Sequence, residues 1–252
     1  MVTVTNVHTV FHWLGQACFL ILTLAGARVG GHAFQGSRIL IDPPAPMVGY
    51  KIAAHSIPAD IVLVSHHHPD HDYVQAAFGS PKIVEPLISA EEDSADTTDS
   101  TRGSGDYQYK RIFADHDSVH GAKRGHDTIT VLETGGLRVC HLGDLGQLAL
   151  TSDQLKAIGR VDVLMIPVGG FFTIDGPQAA AIVGQLHPRV ILPMHYATPA
   201  LNPDLRSKLA PPDAFLAAMR GKAKIVRVKA RDLTLSPETL PKTPTIYLLR
   251  YQ

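Results

Sequence analysis

The segment Ser65-His66-His67-His68-Pro69-Asp70-His71 restricts the folding options of this chain more than any other. It follows directly on Asp60 to Val64, a short β-branched, apolar run of the kind that sits buried inside a sheet. In extended chain alternate residues point the same way, so His66, His68 and Asp70 are expected on one side and His67 on the other. Pro69 keeps His68 from turning helical, and His71 falls where the chain bends, so its ring can swing toward the same pocket. Imidazoles and a carboxylate in this order suit two neighbouring divalent ions better than one tetrahedral zinc, whose catalytic sites keep a position open for water. A solvated histidine-rich loop is the bland alternative. The aspartate, the parity and the buried strand upstream argue against it.

Further donors should come from other strand ends on the same rim, where open α/β sheets place their sites. His116 follows the strand Arg111 to Ala114, Asp144 follows Leu137 to Cys140, and His195 follows Val190 to Leu192. A carboxylate such as Asp144 can bridge two cations that would otherwise repel each other at about 3.5–4 Å. His120 and His126 lie close to His116, and spacing alone does not separate the three. Asp42, after the strand Arg38 to Ile41, is either a turn aspartate before proline or the acceptor that fixes the tautomer of a ligand histidine. His141 points away from Asp144 by parity and reads as an outer partner or a structural group. Lys123 and Arg124 meet an anionic substrate or simply carry loop charge, and Tyr196 is a candidate donor to a developing oxyanion.

Around these residues the chain alternates strand and helix. Val10 to Ala27 reads as two strands with a tight connection; it lacks the basic flank of a signal peptide. The Gly-rich stretch Gly26 to Gly36 reads as a hairpin connection, and Asp72 to Phe78 as a short helix capped by Asp70. Ser89 to Gly105 is acidic, rich in Ser, Thr and Gly, and reads as a mobile surface loop or lid. Thr128 to Glu133 and Leu137 to Cys140 pair across Thr134-Gly135-Gly136. Thr151 with Gln154 makes a capping box, Asp175-Gly176-Pro177 opens a second helix, and Pro212 to Arg220 is a third. Val163 to Val168, Lys224 to Val228 and a stretch near Tyr247 are further strands. With no dividing linker, residues 1–252 are expected to form one α/β domain with layers around sheet.

Composition narrows the function. Lys plus Arg and Asp plus Glu balance at 23 each, so nucleic acid is not an expected partner. No run is long and apolar enough to span a bilayer. Cys18 and Cys140 lie in apolar runs without zinc-ribbon spacing and are expected as buried free thiols, in keeping with a reducing cytoplasm.

The motif His66-x-His68-x-Asp70-His71 resembles the signature of the metallo-β-lactamase-fold hydrolases. The resemblance extends through Trp13-Leu14-Gly15-Gln16-Ala17, His116-Asp117, Arg124-Gly125 with Thr128-Ile129, and His141-Leu142-Gly143-Asp144-Leu145-Gly146. It continues through Pro167-Val168-Gly169-Gly170 and Pro193-Met194-His195-Tyr196. In these stretches the chain is similar to the branch with ascorbate-6-phosphate lactonase and, more distantly, the phospholipase-D-type enzymes acting on N-acyl ethanolamine phospholipids.

The resemblance implies a four-layer αββα sandwich with a dinuclear site on one rim. His66, His68 and His116 would hold one metal, Asp70, His71 and His195 the other, with Asp144 between them. The match of His116-Asp117 ahead of Arg124-Gly125 favours His116 over His120 and His126. Gln16 replaces a histidine common among relatives, and His126 and the acidic loop are further departures; none is expected to touch the presumed ligands. The two metals, zinc with manganese or iron also accepted, would activate a bridging hydroxide, with Asp70 and Asp144 as catalytic carboxylates. The expected substrate is a small molecule with an ester, lactone or phosphodiester bond. A non-catalytic binding protein, a redox di-iron centre and a nuclease-like phosphodiesterase are the rival readings; a homo-oligomer is compatible with all of them.

Overall fold

The computed structural model describes residues 7–29, 32–91 and 107–251, and the side chains of all these except 25–35. Among them, fifteen strands and four helices follow in the order β1 (Val7–Gly15), β2 (Cys18–Val29), β3 (His32–Ile41), β4 (Ile57–Pro58), β5 (Ile61–Leu63), β6 (Ala77–Phe78), β7 (Lys82–Val84) and β8 (Tyr107–Asp115). The chain continues with β9 (His126–Thr134), β10 (Leu137–His141), α1 (Ser152–Ile158), β11 (Val163–Pro167), α2 (Gly176–Leu186), β12 (Val190–Met194), α3 (Pro203–Lys208), α4 (Asp213–Ala218), β13 (Lys224–Arg227), β14 (Asp232–Leu235) and β15 (Thr245–Leu248).

Two large sheets result. One runs β14-β1-β2-β3-β5-β7, the other β13-β15-β12-β11-β10-β9-β8, and β4 pairs with β6 apart from both. Alternation along single strands shows how they stack. Ile39, Ile41, Ile61 and Leu63 belong to the core shared with Ile129, Val131, Val139 and Ile166 of the second sheet. Their neighbours Leu40 and Val62 enter a second cluster with Val48, Tyr50, Ile52 and Leu201 on the opposite face. In the second sheet β11 and β12 are buried along their whole length, between the first sheet and a helical layer. That layer includes α1 and α2, each opened by the capping box that its sequence announces, at Thr151–Gln154 and Asp175–Gln178. Outside the first sheet the covering is mostly loop, the β4/β6 pair and α3.

Two expectations need correction. Residues 72–78 form no α-helix; Val74–Ala76 is a single 3-10 turn without a side-chain cap, and Asp70 caps nothing. Tertiary pairing outweighs local preference there: Ser56 N donates to Ala76 O at 2.9 Å, and β6 lies parallel to β4. The Gly-rich stretch 26–36 is largely strand, since β2 extends to Val29 and β3 starts at His32. Residues 30–31 lie outside the described ones, as do residues 92–106, which hold most of the expected acidic lid. Strands β7 and β14 and helix α3 have too few apolar residues to announce themselves.

Among the described residues no helix is long and apolar enough to cross a membrane. Cys18 and Cys140 are buried and free.

Candidate metal centre

Strands β3, β5 and β7 run parallel, as do β10, β11 and β12, so their C-terminal ends gather on one rim. The β5 end delivers His66 to His71, the β8 end His116, the loop after β10 Asp144, and the β12 end His195. All seven residues singled out as donors converge there. His66, His68 and His116 form one group and Asp70, His71, Asp144 and His195 another, each with its donor atoms within 4.8 Å of one another. The His66 ring lies 4.6 Å from those of His68 and His116, and 4.2 Å from that of His71. His67 faces outward, 60% exposed, as parity requires. The backbone reason differs, because the segment is tightly turned, with His68 N donating to His66 O and His71 N to His68 O.

Asp144 stands between the groups. Its Oδ2 is 3.5 Å from His116 Nε2 and 3.1 Å from His195 Nε2, while Oδ1 is 3.2 Å from His71 Nε2. Nε2 of His66, Nε2 of His71 and Oδ1 of Asp144 are buried with no hydrogen-bond partner. Such polar atoms, left uncompensated, are costly. An oxygen- and imidazole-rich pocket of this kind fits divalent cations.

Electrostatics divides the imidazoles. Burial, helped by neighbouring His71, lowers His66 to about 4, and burial lowers His116 to about 4 as well. Both stay neutral, the form that donates to a metal. Burial acts the same way on His71 and His195, but carboxylates outweigh it: Asp144, Asp70 and Asp42 raise His71, and Asp144 with Asp70 lifts His195 to about 9. Asp70 and Asp144 are held well below the usual carboxylate range by the facing imidazoles, against the pull of burial.

A supporting ring of polar groups fixes the donors. His71 Nδ1 donates to Asp42 Oδ2 at 3.0 Å, and Ser65 donates to the same carboxylate through its N and Oγ. Asp42 is therefore the tautomer-fixing acceptor and not a bare turn residue. His141 is structural: Nε2 donates to Ala17 O at 2.8 Å, and Nδ1 accepts from Gly143 N. Of the three neighbouring histidines, His116 lies in the cluster and is 1% exposed, while His120 is 96% exposed and His126 turns to Asp115. Asp117 accepts from the backbone N–H groups of Val119, Gly121, Lys123 and Arg124. These bonds outweigh burial and bring its carboxyl down to about 2, tying down the loop after His116.

Tyr196 packs its ring on Trp13 at 5.2 Å within the core. One expectation fails here. Gln16, expected to stay clear of the ligands, touches two of them: Nε2 lies 2.9 Å from Asp70 Oδ2 and 2.7 Å from His195 Nε2. Sequence reasoning also missed Asp127, wholly buried on β9 with Oδ1 3.3 Å from His66 Nδ1. Its one signal was a carboxylate at a core position of the strand paired with the one leading to His116. Arg124 donates to Phe171 O and lies over the Phe171 and Phe172 rings.

With this geometry established, comparison with known proteins is informative. The profile of the beta-lactamase superfamily domain matches residues 10–195. A UPF0173 metal-dependent hydrolase of Anaeromyxobacter dehalogenans is 30% identical over 237 residues, 84% of this chain and 81% of that one. The chain belongs to the UPF0173 metal-dependent hydrolases. A crystal structure from Thermotoga maritima, of a candidate Zn-dependent hydrolase of the metallo-beta-lactamase superfamily, matches this UPF0173 chain with a TM-score of 0.63 and 28% identity. It covers 97% of this chain and 100% of that one. CmlA, a diiron beta-hydroxylase from Streptomyces venezuelae, shares only the fold, at 16% identity and a TM-score of 0.54 over 97% of this chain and 53% of its own. The UPF0173 chain thus has the metallo-β-lactamase fold, with mostly strands and few helices.

Proposed function

We propose that this metal-dependent hydrolase holds two divalent cations and cleaves a small ester, lactone or phosphodiester. His66, His68 and His116 would hold one cation and Asp70, His71 and His195 the other, with Asp144 shared. The position of Asp144 carries the reading, because its carboxylate reaches donors of both groups within 3.5 Å. The donor set is rich in imidazole, poor in carboxylate and free of thiolate, which favours zinc and also accepts manganese or iron. The core shared by both sheets supports reading the chain as one domain.

When bound, such a pair supplies a nucleophilic deprotonated water near neutral pH and polarises the oxygen of the scissile group. The chain's own residues do the rest. Asp42 keeps the proton of His71 on Nδ1, leaving the Nε2 lone pair aimed into the site. Asp144 fixes the spacing of the two donor groups. Asp70 remains 20% exposed, and it is the carboxylate through which a proton can pass to a leaving group.

The test is metal analysis of purified protein together with a screen of small esters, lactones and phosphodiesters, with and without chelator. Two metals per chain and chelator-sensitive turnover are expected. His68→Ala should abolish turnover and leave the protein folded; full activity in that variant would overturn the site assignment.

A further inference from the structure

We propose that Gln16 is an additional metal ligand, an amide oxygen donor to the cation grouped with Asp70, His71, Asp144 and His195. The proposal rests on the two-metal reading above and deepens it. Gln16 sits at the tight turn between β1 and β2 with φ +51°, and it is 1% exposed. Its backbone is locked by two bonds: Gln16 O accepts from Trp13 Nε1 and from His195 N, both at 3.0 Å. A side chain so anchored has little freedom except rotation of its end group.

That end group is aimed at the site. The terminal atom beside the donors, Nε2, donates to Asp70 Oδ2 at 2.9 Å and lies 2.7 Å from His195 Nε2, and those two atoms are 3.4 Å apart. The other amide atom, Oε1, is buried without a partner. An N–H against His195 Nε2 competes for the lone pair that a metal needs. Turning the amide by half a rotation exchanges N and O at no cost in shape, and places Oε1 beside Asp70 and His195.

With His195 Nε2 in the unprotonated form that a metal requires, these are three acceptors in van der Waals contact, and they repel one another unless a cation lies among them. Donors about 2.1 Å from one ion sit roughly 3.0 Å apart at right angles and roughly 3.4 Å apart at the tetrahedral angle. In the triangle formed by Gln16, Asp70 and His195, the edges of 2.9 and 3.4 Å are of that size and the third, 2.7 Å, is slightly shorter. The ligand atom comes from the first sheet and His195 from the second, so this contact also ties the two sheets at the rim.

The test is stepwise Co(II) titration of metal-free protein, read by visible absorption and by metal content after gel filtration, in wild type, Gln16→Leu and Gln16→Glu. Wild type is expected to take up two equivalents. Q16L should keep the first equivalent, bind the second at least tenfold more weakly, and gain visible absorption at that site as one donor is lost. Q16E should bind the second equivalent more tightly and change its spectrum. Unchanged second-site affinity and spectrum in Q16L overturns the proposal and leaves the two-metal reading intact. If Q16L fails to fold, by circular dichroism, Q16E decides, and an unaltered second site there overturns it equally. Wild type that binds a single equivalent defeats the two-metal reading, and the Gln16 proposal with it.

Discussion

Asp127 Oδ1 lies 3.3 Å from His66 Nδ1, with neither oxygen of the carboxylate hydrogen-bonded and no surface exposed. Ser65 Oγ approaches the same nitrogen at 3.0 Å. Because Ser65 Oγ donates to Asp42, it can only accept from His66. Ser65 therefore holds the His66 proton on Nδ1, beside the Asp127 carboxyl, and leaves Nε2 for the group with His68 and His116. Outer carboxylates of this kind typically contribute 10–100-fold to metal affinity. Asp127→Asn should weaken the metal grouped with His66, His68 and His116 by a factor in that range, measured by competition with a chromophoric chelator. Equal affinity in variant and wild type would make Asp127 a packing residue only.

Asp42 is a buried anchor for both Ser65 and His71. Its truncation strands a backbone N–H, a hydroxyl and an imidazole N–H at once. Breaking a buried charged network from one side costs on the order of 3–5 kcal/mol. Asp42→Ala should lower the melting temperature of the metal-free protein by about 6–20 °C, taking about 2–4 °C per kcal/mol for a chain of this size. A shift of only a degree or two would show that the network is dispensable.

Proton and metal compete at the second group. His195, lifted to about 9 by Asp144 and Asp70 against the effect of burial, carries a proton at neutral pH when no metal is bound. A raised histidine stabilises the fold fully below its unfolded value of about 6.5, and that contribution is lost as pH rises through about 9. Asp127 acts in the same direction at lower pH, since burial pushes its carboxyl up to about 7. Metal-free protein should therefore melt at progressively lower temperature from pH 6.5 to 9. Zinc-loaded protein should lose most of this slope, and zinc uptake at pH 7 should release protons, seen as buffer-dependent heats in calorimetry. A flat metal-free profile across that range would contradict the assigned protonation.

Gly169 is pressed against the backbone that carries His195: a Cβ there would lie 2.2 Å from His195 O. The obstruction is main chain, so it cannot swing aside as a side chain would. Gly169→Ala should displace His195 and lower the affinity of the second metal more than that of the first, with a loss of stability of about 1–3 kcal/mol. Chelator titration of the two equivalents separates this from a general loss of stability, which would lower both alike.

Much of the site was legible because its donors are chemically conspicuous and sit where buried strands stop. His66, His68, Asp70 and His71 stand in one unbroken motif after β5, and Asp144 and His195 each follow an apolar run. His116 needed more, since His120 and His126 share its neighbourhood; the pairing of Asp115 with His126 across β8 and β9 turns both rivals away. Gln16 and Asp127 were illegible for a different reason. An amide in a turn and a carboxylate in a strand acquire meaning only through what the opposite sheet brings to them. The helix expected at 72–78 failed for a related cause, as the pairing of β6 with the distant Ile57–Pro58 strand overrides local preference.

His195 and Gln16 are 179 positions apart in the chain, yet the rim is complete only when they meet. A ribosome making this protein releases the His66 to His71 segment long before β12 exists, and that segment alone offers an incomplete cage. On the proposed ligand set a complete cage exists only after the two sheets dock, a long-range step. The ion held there would then be selected by the finished cage and not by the histidine segment alone.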